Sequence, residues 1–317
     1  MVGKTLVIAA ALAGAGTAAE VPVSPSTQTS TTFHYATIEG VKVFYREAGP
    51  KGAPTLLLLH GFPSSSAQFA TLMPLLADTY HVIAPDYPGF GLSDAPPPDA
   101  FAYTFDHVAA VVAGLIDVLG VQRYVLYMND YGGPVGFRLA LAHPERVMAM
   151  IVQNAVAHED GLGPLWAPRR AYWHDRAARE ANVIAAFTSL EVTRDRHLGS
   201  SPHPERYDPN TWLDEYAHLS KAGQAKIQAD LFYDYRTNVA SYASWQDWMR
   251  QHKPPMLVVW GKYDPSFTLG GAAAYGRDVP EAEIHILEAG HFALEEAVDQ
   301  VAVLSRAFLA KQKLHGR

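Results

Sequence analysis

The stretch YVLYMNDYGGPVG, from Tyr124 to Gly136, constrains the fold of this chain more than any other. RYVLYM has the apolar, β-branched and aromatic character of a buried strand. Behind it, Gly132 and Gly133 remove the side-chain bulk that would stop a following helix from turning away sharply. A residue at the tip of such a strand-to-helix turn has its side chain pushed out above the sheet. Here that residue is Asp130. Taken alone it fits a helix N-cap; with the right partners elsewhere, it fits a carboxylate presented to a pocket for chemistry.

The flanking sequence alternates strand and helix. VKVFYRE (41–47) reads as an early strand, TLLLLH (55–60) and HVIAPD (81–86) as buried strands, and HVAAVVAGLIDVLG (107–120) as a helix closed by Gly120. VMAMIVQNA, PMLVVWG and AEIHIL supply three more strands, and a last helix runs from Leu294 to Ala310. This order predicts a mostly parallel α/β sheet flanked by helices. Between Val156 and Lys253 the alternation stops, and five of the six tryptophans fall there. That segment is expected to be a helical lid inserted after the sixth strand. The expected organisation is a core of residues 33–155 and 254–317 with a lid subdomain, 156–253.

Ahead of this core, MVGK precedes TLVIAAALAGAGTAA, with small residues at Thr17 and Ala19. One basic residue, a short apolar run and a small-residue site match a cleavable export signal over residues 1–19, and hence a periplasmic or secreted protein. An uncleaved apolar extension fits the same residues. Residues 20–32, rich in Ser, Thr and Pro, read as a flexible leader.

The chain carries a net charge of -7 and no lysine-rich run. This argues against nucleic acid and against an anionic membrane surface as partners. A small, mainly apolar molecule is the expected ligand. The absence of cysteine excludes a disulfide framework, a thiolate nucleophile and any cysteine-ligated metal.

Five motifs occur in register with these elements: HGFP (60–63), APDYPGFGLSD (84–94), NDYGGPVG (129–136), WGKYDPSF (260–267) and GHFALEE (290–296). Together they resemble the α/β-hydrolase fold, in its aspartate-nucleophile branch of epoxide hydrolases and haloalkane dehalogenases. The likeness runs over nearly all of residues 37–309. It implies Asp130 as nucleophile, His291 as base, Asp264 as the acid that orients the histidine, and the backbone NH groups of Phe62 and Tyr131 as an oxyanion hole. It implies neither metal nor organic cofactor. Part of this branch carries its acid after the strand MAMIVQ, where this chain has the uncharged Asn154. Ser93 in GLSDA lies in a loop, and Ser64–Ser66 read as helix caps, so a serine nucleophile is not indicated.

The same resemblance leaves the leaving group open. HGFP is the form found in epoxide hydrolases, and LFYDYRTN resembles their lid segment with a ring-opening tyrosine, here Tyr235; Tyr172 is the candidate for its partner. Dehalogenases carry Trp after the nucleophile and a donor after HG, where this chain has Tyr131 and Phe62. Asn129 and Met128 are nevertheless similar to a dehalogenase subgroup, and Trp166 or Trp173 would then supply an indole donor. Fluoroacetate-type relatives place arginines shortly after the nucleophile, a region that here holds Tyr131 and Pro134. An epoxide hydrolase leads, a haloalkane dehalogenase follows, and a non-catalytic ligand receptor on the same scaffold is the third expectation.

Overall fold

The computed structural model describes residues 30–314. The expected export signal and residues 20–29 of the leader lie outside the described residues. Eight strands form one sheet in the order β1-β2-β4-β3-β5-β6-β7-β8. They are β1 (Thr32–Ile38), β2 (Val41–Ala48), β3 (Thr55–Leu59), β4 (His81–Pro85), β5 (Tyr124–Asn129), β6 (Val147–Gln153), β7 (Met256–Gly261) and β8 (Glu283–Leu287). The pairs β1–β2 and β2–β4 are antiparallel, and every other pair is parallel.

The parallel part is buried on both faces, as crossover helices require. Successive residues of β3 show it: Leu57 and Leu59 join one apolar cluster, and Leu56 and Leu58 the other. The first cluster packs beneath α2 (Phe105–Val118) and α3 (Gly132–Ala142), and the second against α1 (Leu72–Leu76). Between β6 and β7 the chain forms α4 (Ala167–His174), α5 (Arg176–Phe187), α6 (Leu190–Leu198), α7 (Pro209–Leu219) and the 29-residue α8 (Gln224–His252). Beyond β7 come α9 (Leu269–Asp278), α10 (Ala293–Glu296) and α11 (Val298–Ala310).

Two local expectations are corrected. The sequence places a leader as far as residue 32 and its first strand at 41–47, yet β1 starts at Thr32. It is an edge strand with most side chains exposed, so it lacks the apolar run that marks a buried strand. The single last helix is two, because Ala297 leaves helical geometry at φ -135° and ψ 28°. Glu296, at the end of α10, instead accepts a 2.6 Å bond from the amide of Gly290, beside the predicted histidine.

Candidate active site

Asp130 follows β5 directly and stands at φ +48°, in the left-handed region that non-glycine residues seldom occupy. Two glycines make this possible. A Cβ on Gly132 would lie 2.1 Å from the Leu59 carbonyl oxygen, so α3 starts against the backbone of β3 only because none is there. A Cβ on Gly61 would lie 2.3 Å from the Asp130 Cβ, so HGFP approaches the aspartate equally closely. The Phe62 amide thereby donates to Asp130 Oδ1 at 2.8 Å. His60 supports the loop from below. Its ring stacks on Tyr87 with centroids 3.9 Å apart, its Nε2 accepts from the Tyr87 amide at 3.1 Å, and burial lowers its pKa to about 3. It is a neutral structural histidine.

The other two predicted residues reach Asp130 from the neighbouring strand ends. After β7 and β8 the pairing continues into the loops, where the Lys262 and Tyr263 amides donate to Leu287 O and Ala289 O. This brings Asp264 and His291 together, with His291 Nδ1 donating to Asp264 Oδ2 at 2.7 Å. On the other side of the ring, Nε2 faces Asp130 Oδ2 at 3.7 Å, beyond direct hydrogen-bond length. The Asp264 side chain is fully enclosed, with its Oδ1 accepting from the amides of Ser266 (2.7 Å) and Phe267 (3.0 Å). Burial of His291 works against the imidazolium, but attraction to Asp264, their hydrogen bond and the nearby Asp130 outweigh it and hold the pKa above 6.5.

Asn154, set aside in the sequence because it cannot carry the orienting charge, has a different place. Its Nδ2 donates to Asp264 Oδ2 at 2.7 Å, and its Oδ1 accepts from the Gly261 amide at 2.9 Å. Its own backbone is left-handed at φ +43°, and its carbonyl accepts from the Asp130 amide. One residue thus holds both the elbow and the acid. Its position at the end of β6, between the two motifs, was the available signal.

The insertion roofs a small cavity of about 20 Å³ lined by Phe62, Asp130, His291, Trp166, Tyr235 and Phe232 among others. Tyr235, on α8, is buried, and its hydroxyl, beside that of Tyr242, makes no well-formed hydrogen bond. Burial first, and then the charge of Asp130, raise its pKa well above 10, so the phenol keeps its proton. The remaining lid candidates stand in different places. Tyr172 lies outside this cavity, with its hydroxyl donating to Ala229 O at 3.0 Å. Trp173 donates its indole NH to Phe232 O at 2.8 Å, and Trp166 donates its own to Ser266 O at 3.0 Å. Both indoles are committed to backbone carbonyls, and only the Trp166 ring reaches the cavity wall. Two residues that sequence reasoning did not single out, Arg169 and Arg196, also line it.

Among the described residues, no group of three His, Cys, Asp or Glu side chains is placed to hold a metal ion. The arrangement therefore offers a carboxylate oxygen that lines the cavity, a histidine nitrogen 3.7 Å from it, and a backbone amide already on the other carboxylate oxygen. Residues 54–298 match the family model for the alpha/beta hydrolase fold. An uncharacterized hydrolase of Saccharomyces cerevisiae is 41% identical over 276 residues, covering 85% of this chain and 94% of the relative. A haloalkane dehalogenase of Psychrobacter cryohalolentis is 27% identical, covering 85% of this chain and 88% of the relative. Among solved structures, an epoxide hydrolase superposes with a TM-score of 0.72 at 21% identity, covering 89% of this chain and 99% of that one. With its family matched over most of its length, the chain belongs to the α/β-hydrolase fold family and is a hydrolase.

Proposed function

We propose that this hydrolase opens epoxides through a covalent ester on Asp130. Asp130 Oδ2, free of the Phe62 amide, attacks a ring carbon and breaks its bond to the ring oxygen. Tyr235 gives that oxygen its proton. His291 Nε2 then takes a proton from water, and the hydroxide adds to the ester carbonyl carbon. The oxyanion forms on Oδ1, where the Phe62 and Tyr131 amides stabilise it. Collapse releases the alcohol oxygen, which takes the proton from His291. The proton left on the Asp130 carboxyl returns to Tyr235. The net change is epoxide plus water to diol.

The observation that carries this reading is Tyr235, buried in the wall of the cavity that also holds Asp130, with a hydroxyl that lies near that of Tyr242 and makes no well-formed hydrogen bond. The indoles that the dehalogenase reading would use, those of Trp166 and Trp173, are both spent on backbone carbonyls. The dehalogenase alternative rests on the Psychrobacter relative, and it predicts halide release without need of Tyr235. Assay of the purified protein against a panel of small epoxides and brominated alkanes separates the two. Diol without halide supports the proposal, and halide without diol overturns it.

A further inference from the structure

The cavity over Asp130 contains two positive charges that the mechanism does not use. Arg169, on α4, is buried, and its Nε and Nη1 have no hydrogen-bond partner. Arg196, on α6, lines the same cavity. Both guanidiniums lie against aromatic faces. Arg169 is 4.4 Å from the Trp166 ring centre and 4.9 Å from that of Phe187, while Arg196 is 4.4 Å from Phe62 and 5.6 Å from Phe187. Contact with ring faces uses none of the N–H donors, which are left to donate elsewhere. Among the described residues, no carboxylate comes within 4.0 Å of either group.

Burying an unpaired guanidinium is costly, and placing a second one beside it adds repulsion. Burial, and then the charge of Arg169, lower Arg196 to about 10, so both remain cationic at neutral pH. Asp130 and Asp264 supply compensating charge at longer range, but neither uses the forks. A planar anion with two oxygens matches what is left, since the guanidinium fork pairs with a carboxylate in bidentate fashion.

We infer that the substrate carries a carboxylate, held by Arg169 and Arg196 while Asp130 attacks a neighbouring carbon. Resting on the epoxide reading above, this makes the substrate class compact epoxy acids, with the carboxylate on or next to the ring. The carboxylate must lie close to the ring because both arginines line the same cavity as Asp130. The arginines also solve a problem that an anionic substrate creates: the attacking carboxylate and the substrate carboxylate repel each other, and two interposed cations offset that repulsion. The mainly apolar ligand expected from composition is revised accordingly. The cationic pair is supplied by the insertion, not by the two positions after the nucleophile.

The test compares oxirane-2-carboxylate with its neutral isostere, oxirane-2-carboxamide, on the full-length enzyme. The acid is expected to show a kcat/KM at least about tenfold above the amide, the scale of one charge-assisted hydrogen bond. Arg169→Met and Arg196→Met should each collapse that ratio toward one, with Arg169→Lys intermediate because it keeps charge and loses the fork. Calorimetry on Asp130→Asn reads binding without turnover: glycerate, the acid product, should bind with an affinity that falls as salt rises, and glyceramide should not. If the amide equals or exceeds the acid and glycerate shows no salt-dependent binding, the carboxylate clamp is wrong while diol formation from the amide leaves the epoxide reading standing. If glycerate binds as expected but neither epoxide is opened, the clamp stands and the epoxide reading falls. Should an arginine variant fail to fold, the acid-to-amide ratio and the glycerate titration decide.

Discussion

Tyr235 and His291 carry the chemistry that separates this reading from its rivals, and each makes a prediction. Tyr235→Phe keeps the ring packed against Trp166 and Trp173 but removes the proton donor. Epoxide turnover should fall about a hundredfold, the usual scale for a lost general acid, and unchanged turnover would take Tyr235 out of the mechanism. His291 must be neutral to accept a proton from water, and its pKa is held above 6.5 chiefly by Asp264 against the effect of burial. Turnover limited by ester hydrolysis should therefore rise with pH through an inflection above 6.5. Asp264→Asn should move that inflection to lower pH and depress the plateau; an unmoved inflection would separate Asp264 from the histidine. Asp130, Asp264 and His291 were legible because each sits in a short motif at a strand end. Asn154 was not, because its value lies in two hydrogen bonds made across strands, and no motif tells which of Tyr172, Trp166 and Trp173 faces inward; of the three, only Trp166 lines the cavity.

The elements around the site are fixed by close backbone approach on one side and by buried charge on the other. The start of α3 passes so near β3 that Gly132→Ala must push the helix away from the Leu59 carbonyl. Overpacking of this kind costs about 1–3 kcal/mol, and we expect a fall of several degrees in Tm by calorimetry, together with loss of activity as Asp130 is displaced. Across the site, His197 on α6 pins the insertion to the core: its Nε2 meets Glu215 on α7 at 2.7 Å and its Nδ1 meets Glu295 on α10 at 2.6 Å, under a stacked Phe292. Burial disfavours the imidazolium, but the two carboxylates prevail and raise its pKa to about 9. A pKa above the unfolded value of about 6.5 means stability that is complete below that pH and is lost as pH rises through about 9. Thermal stability should accordingly decline between pH 6.5 and 9.5, and His197→Gln should flatten that decline; an identical slope in the variant would place the cause elsewhere. The strand order of the core could be read from apolar runs, whereas this clamp joins residues almost a hundred positions apart and leaves no local pattern.

At the scale of the whole molecule, the sheet sets out the reacting groups and the insertion chooses what reaches them. Asp130, Asp264 and His291 come from the ends of β5, β7 and β8, so their meeting follows from strand order alone. Tyr235, Arg169 and Arg196 come from three separate helices of the insertion, and only its packing brings them over the same carboxylate. This division explains why the residues at the strand ends were easier to read than the pocket: motifs survive at strand ends, while a pocket assembled from helix faces has no sequence signature. The account as a whole stands on Asp130 becoming an ester and giving up an oxygen atom. The direct measurement is a single turnover with enzyme in excess over epoxide in oxygen-18 water, followed by mass spectrometry of the diol and of the peptide that contains Asp130. The first diol should carry no solvent oxygen, and the label should appear in the Asp130 carboxylate, because water cleaves the ester at its carbonyl carbon. Solvent label in that first diol, with an unlabelled Asp130 peptide, would contradict the account.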